Sequence, residues 1–113
     1  MIELIVKTYL ESVLSGIPVY MTEPEEPPVC YIKIEKTGSG VRNWIRTATV
    51  AIQSYGSSMQ EAATLDERVV QAMLQSPSQD EISRCELIGD YNFTDPKTRR
   101  FRYQAVFDLT YFF

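Results

Sequence analysis

The sequence predicts an α+β fold: a single mostly antiparallel sheet with two helices packed on one face, in the order α-β-β-β-α-β-β. Three observations predict it. Apolar residues recur at helical spacing in segments 2–14 and 62–73. They alternate with period two in segments 29–37, 44–55 and 99–112, and more loosely in 82–88. Clusters of Gly, Pro, Asn, Asp and Ser separate these runs.

Taken in order, Ile2, Ile5, Val6, Tyr9, Leu10, Val13 and Leu14 form one face of a first helix, with Glu3, Lys7 and Glu11 on the other. Gly16 and Pro18 end it. A short extended piece, Pro18 to Met21, leads into TEPEEPP, Thr22 to Pro28. Its prolines exclude helix and central strand, so it is expected as an exposed acidic loop with Glu23, Glu25 and Glu26 solvated. Val29 to Thr37 is a strand with Cys30, Ile32 and Ile34 on one face and Tyr31, Lys33 and Glu35 on the other. Thr37 to Asn43, with Gly38 and Gly40, reads as a hairpin turn or a mobile loop. The second long strand, Trp44 to Tyr55, exceeds the usual five or six residues and is expected to run past the sheet as an arm of a protruding hairpin.

Ser58-Met59-Gln60-Glu61 fits a capping box opening a second helix, whose buried stripe is Ala62, Leu65, Val69, Ala72 and Met73. Ser76-Pro77-Ser78 stops it. Ile82 to Ile88 is a strand, Gly89 to Thr98 a loop, and Arg99 to Phe112 a last strand with Phe101, Tyr103, Ala105, Phe107, Leu109 and Tyr111 on its core face. Such a sheet leaves apolar faces or edges for an oligomer to cover.

Size and composition exclude several classes. A chain of 113 residues suits one domain, 1–113. Eleven basic and fifteen acidic residues, net charge -4, argue against a general nucleic-acid coat. There is no histidine, which removes the commonest general base and metal ligand. Cys30 and Cys85 have no CxxC spacing and are expected as small buried hydrophobes, pairing only if their strands are neighbours. No basic region followed by an apolar core opens the chain, and no run reaches the roughly 18 apolar residues of a membrane span, so a cytoplasmic protein is expected.

The motifs offer little catalysis. Gly38-Ser39-Gly40 has the glycines of a phosphate cradle but no following G-K-[ST], and it joins two strands. Asp66-Glu67 are adjacent on a helix and point apart, and no calcium-loop spacing exists. An enzyme is therefore not expected, nor any cofactor or metal. The basic residues are more informative. Lys97, Arg99, Arg100 and Arg102 cluster at the start of the last strand, and Arg42 and Arg46 flank Trp44. Charge protecting a sheet edge explains them by default. A protein contact is the functional reading, since Arg and Trp anchor interfaces. Interleaved Arg and aromatic residues could also touch nucleic acid, which the overall acidity disfavours.

Three segments carry a family resemblance: YIKIEKTGSG, then RNWIRTATVAIQSYGSSMQEAATLDERVVQAML, then DYNFTDPKTRRFRYQAVFDLTYFF. Together they resemble the tail-terminator, or head–tail joining, proteins of long-tailed phages and prophages. The resemblance implies a virion protein, assembled in the host cytoplasm, that forms a ring, usually a hexamer. The ring caps the tail-tube protein, stops its polymerisation and faces the head connector, with DNA passing through the lumen. It implies interfaces at Val41, Arg42, Asn43, Trp44 and Arg46 toward a neighbour or the lumen. Tyr91, Phe93, Lys97, Arg99 and Arg100 would lie toward a ring above or below. Trp44→Ala is then expected to weaken the ring and leave the monomer folded. Other neck or head-completion proteins and small ligand-binding α+β modules share such element orders and stay open as alternatives.

Overall fold

The computed structural model describes residues 1–42, 45–78, 81–97 and 100–111, with the backbone alone at Arg42 and Ser78. The first helix, α1, spans Ile2–Val13 and buries Ile2, Val6, Tyr9 and Leu10, which recur every three or four residues. Val13, expected on that face, is exposed. Gly16 takes a positive φ of 88°, which lets the chain reverse after the helix at little steric cost. The chain then forms β1, Val19–Tyr20, and after the acidic loop β2, Tyr31–Arg42, and β3, Ile45–Gly56. The second helix, α2, is Met59–Leu74, followed by a 3₁₀ turn at Ser76–Ser78, β4 at Ile82–Asn92 and β5 at Phe101–Tyr111.

The strands form a five-stranded sheet in the order β1-β2-β3-β5-β4. β1 lies parallel to β2, and the other neighbours are antiparallel. The fold is α+β, as the periodicities predict. One sheet face carries Ile32, Ile34, Ala48, Val50, Ile52, Ala105, Phe107 and Leu109, which pack with both helices into one core. Burying each such large side chain contributes about 1.5–3 kcal/mol.

Four local expectations are corrected. β3 is the central strand and not a protruding arm: Arg46 lies opposite Val41 on one side and Tyr111 on the other. The glycine segment after Thr37 is strand, not loop, because β2 continues to Arg42 past a register shift between Lys36 and Gly38. In the same way β4 continues to Asn92 past a shift between Leu87 and Gly89. Each bulge inserts a residue and inverts the alternation just before a glycine, which removes the sequence signal of a strand. The capping box is half formed. Ser58 Oγ accepts from the Glu61 N–H at 3.1 Å, while the Glu61 carboxylate takes hydrogen bonds from Ser57 and Cys30.

Both cysteines are free and half-buried, and Cys85 packs against the core as expected of a small hydrophobe. Cys30 precedes β2 and Cys85 lies on β4, toward opposite edges of the sheet. No described helix is long and apolar enough to cross a membrane.

Candidate protein interface

The face of the sheet away from the helices carries an unusual set of polar and aromatic residues. The register aligns Tyr31, Tyr55 and Arg102 in one row, and Lys33, Gln53, Gln104 and Tyr91 in the next. Tyr31 and Tyr55 stack, with ring centroids 4.2 Å apart and planes 6° from parallel, and Tyr20 meets Tyr31 edge-on. The Arg100 guanidinium sits 5.6 Å from the Tyr31 ring centroid and 5.4 Å from that of Tyr55. Arg102 lies 4.5 Å from the Phe93 centroid, and Phe93 meets Tyr91 edge-on. These are cation–π distances, each favourable by about 0.5–1 kcal/mol at such sites.

A directed hydrogen-bond chain crosses the same face. Arg102 Nη1 donates to the Tyr55 hydroxyl at 3.1 Å, and that hydroxyl donates to Gln53 Oε1 at 3.2 Å. Gln53 Nε2 donates to Gln104 Oε1 at 2.9 Å, and Gln104 Nε2 to the Tyr91 hydroxyl at 2.5 Å. Each of these groups finds a partner, as buried amides require.

Glu23 joins the acidic loop to this cluster. It accepts from the Tyr31 hydroxyl at 2.7 Å and from Arg100 Nη1 at 2.8 Å, and Lys33 stands 3.9 Å away. Partial burial works against its charge, but hydrogen bonds from Tyr31 and Arg100 outweigh that and hold its carboxyl below the usual range. Burial, then the Glu23 acceptor, pushes the Tyr31 hydroxyl up. The Glu23 hydrogen bond likewise keeps Arg100 firmly protonated. Glu23 stays exposed, as the loop composition suggests, while Tyr31 and Arg100 tie its carboxylate to the cluster.

Of the predicted contact residues, Tyr91, Phe93 and Arg100 converge here, and Lys97 stands exposed on the adjoining loop with its N–H on Asp95. Val41, Arg42 and Arg46 lie at the other end of the sheet, where Val41 and Ile45 are exposed and Arg46 is half-buried. Asn43, Trp44 and Arg99 lie outside the described residues. The two predicted patches are thus far apart on a molecule of 44 × 26 × 25 Å. Tyr31, Tyr55, Glu23, Gln53 and Gln104 were missed by the sequence reading. The two glutamines on alternating strands were the available signal.

The cluster presents fixed guanidinium groups and aromatic edges, an arrangement suited to gripping a protein surface. Nucleophiles fare worse: the Glu61 carboxylate and burial push the Cys30 thiol up, and burial pushes up that of Cys85. No group of three metal-ligating residues occurs among the described residues.

Comparison with protein-family models and with curated proteins gave no match. Among solved structures, the chain is similar to one in the "Virion of native gene transfer agent (GTA) particle", with a TM-score of 0.66 and 14% identity. The match covers 90% of this chain and 83% of that one. At this identity the likeness shows a shared fold.

Proposed function

We propose that the chain is a non-catalytic structural protein of a virion's head–tail junction, a tail terminator whose ring caps the tail tube and faces the head connector. The observation that carries this reading is the match in fold, over most of both chains, to a component of a gene transfer agent virion. The three tail-terminator-like segments support it independently.

The sheet supplies a physical route to a ring. β2 and β5 run one way, β3 and β4 the other. β1 covers only Ile32 and Lys33 of β2, so the outer edge of β2 beyond them has no strand partner among the described residues. β4 is the opposite edge. A second copy placed head to tail sets its β2 antiparallel to β4 of the first, the more favourable pairing. Two different edges meeting in this way make a heterologous contact, which closes into a ring when the rotation allows. Exposed Val41 on β2 and Ile88 and Tyr91 on β4 would be covered by it. The two ends of the sheet, with Arg46 at one and Phe93 and Arg100 at the other, then face different neighbours. The net charge of -4 suits a lumen that lets DNA slide, since each basic contact to phosphate adds affinity.

The test is to add the purified chain to polymerising tail-tube protein of the same virion and image the products by electron microscopy. Shorter tubes with a ring on one end support termination. Tubes of unchanged length without a terminal ring overturn it.

A further inference from the structure

The acidic loop makes a contact of the kind a bound ligand makes. It joins β1 to β2 and carries Pro24, Pro27 and Pro28, which keep it extended. Among the described residues, no backbone–backbone hydrogen bond holds it between β1 and β2. Glu25 and Glu26 are exposed, and Val29 is 67% exposed. Of the three acids, Glu23 is the one that reaches the sheet. Its Oε1 accepts from both the Tyr31 hydroxyl and Arg100, and its Oε2 stands 3.9 Å from Lys33 Nζ. The loop is thus fastened by an exposed carboxylate placed in a cationic site.

The site under that carboxylate is rigid. Tyr31 is 1% exposed and Tyr55 3%, although both lie on the face away from the helices, and Arg100 rests over both rings. The stacked pair fixes the direction of the Tyr31 hydroxyl and of the guanidinium. Beside the clasp is an open pocket of about 400 Å³, lined by Pro27, Pro28, Tyr31, Tyr55, Ser57 and Arg100. That volume is at the lower end of the range of about 300–1,000 Å³ in which ligand pockets fall. Arg102 on the same face and Lys97 on the adjoining loop add positive charge at this end of the sheet.

We propose that Arg100, Tyr31 and Lys33 form a docking site for an acidic, extended segment of a partner protein, and that Glu23 is its tethered internal occupant, displaced when the partner docks. A guanidinium and a hydroxyl converging on one oxygen, with an ammonium near the other, are a carboxylate receptor, and charge-assisted hydrogen bonds are the strong ones. The positive end of the sheet complements an acidic partner and rejects a basic one. A carboxylate is the group the site already holds, and the net charge of -4 disfavours a nucleic-acid phosphate in its place. The short loop keeps Glu23 at an effective concentration on the order of millimolar, so a lone free carboxylate does not displace it. A partner that brings an acid together with a side chain for the adjoining pocket does. The site therefore stays closed until its partner arrives. The inference rests on the proposed function only for which neighbour supplies the segment.

The test is an NMR titration of the full-length chain with a synthetic acidic peptide of the sequence TEPEEPP, with TQPQQPP, and with a single-stranded DNA heptamer. Glu23→Ala, which removes the internal competitor, should bind TEPEEPP at least about tenfold tighter than the native chain. The glutamine peptide should bind at least about tenfold more weakly than the acidic one. Adding Arg100→Ala to Glu23→Ala should abolish the gain. So should adding Tyr31→Phe, which keeps the stacked ring and removes only the hydroxyl, so that loss of the fold is not mistaken for loss of the contact. The proposal is overturned if Glu23→Ala binds the acidic peptide no better than the native chain does, or if the glutamine peptide binds equally well. It is also overturned if the gain survives both second substitutions. Tighter binding of the DNA than of the peptide would assign the site to phosphate instead. A chain that caps tail tubes but ignores the peptide would contradict this inference and leave the proposed function standing.

Discussion

Glu23 and Asp66 show two opposite fates of a carboxylate. Glu23 gains donors on folding, so its carboxyl is held low, and its contribution is present above the ordinary carboxylate value and lost as pH falls through the folded one. Because it is over a third exposed, solvent screening limits its ion pair with Arg100 to roughly 0.5–1 kcal/mol. Arg100→Ala should therefore change global stability little but release the 22–28 loop, read as faster proteolytic cleavage there. Burial first, and then neighbouring acids, hold the Asp66 carboxyl high, and its Oδ1 has no hydrogen-bond partner among the described residues. Between the ordinary aspartate value and the raised one, the folded chain binds more protons than the unfolded chain. Stability then falls as pH rises through that window, by up to about 1.4 kcal/mol per pH unit. Asp66→Asn should raise the melting temperature at alkaline pH and have little effect near pH 4, measured by calorimetry at both. The sequence reading placed Asp66 and Glu67 as adjacent, divergent acids. It missed the buried one because a helix stripe is recognised by its apolar members.

At the scale of elements, the junction of β3 with α2 leaves no room for a side chain at Gly56. A Cβ on Gly56 would stand 2.6 Å from the Ala62 backbone nitrogen, so α2 would have to move. Gly56→Ala should cost about 1–3 kcal/mol in denaturant unfolding, the range of overpacking. Ser58→Ala removes the cap on the Glu61 N–H and should cost about 1 kcal/mol. Both helices were legible in the sequence because a 3.6-residue stripe survives without tertiary information, as in Ile2, Val6, Tyr9 and Leu10. Strand alternation was legible only until a bulge interrupted it. Gly38–Arg42 and Gly89–Asn92 read as loops because one inserted residue inverted the faces and glycine left nothing to alternate. The candidate interface was half legible. The Arg and aromatic residues of 91–102 cluster in sequence, whereas Glu23 reaches Arg100 across 77 positions, a contact no local pattern encodes.

At the scale of the whole molecule, the sheet has two different edges that can meet head to tail. Ile88 is 56% exposed on β4, so Ile88→Lys should leave monomer stability within about 0.5 kcal/mol and weaken self-association. Loss of folding in that variant would mean that the β4 edge serves the monomer instead. The most direct measurement is native mass spectrometry of the chain, alone over a range of concentrations and mixed with tail-tube protein. A closed oligomer of fixed subunit number, alone or on the tube, is the predicted result. A chain that stays monomeric at every concentration and also in the presence of the tube protein would contradict the ring.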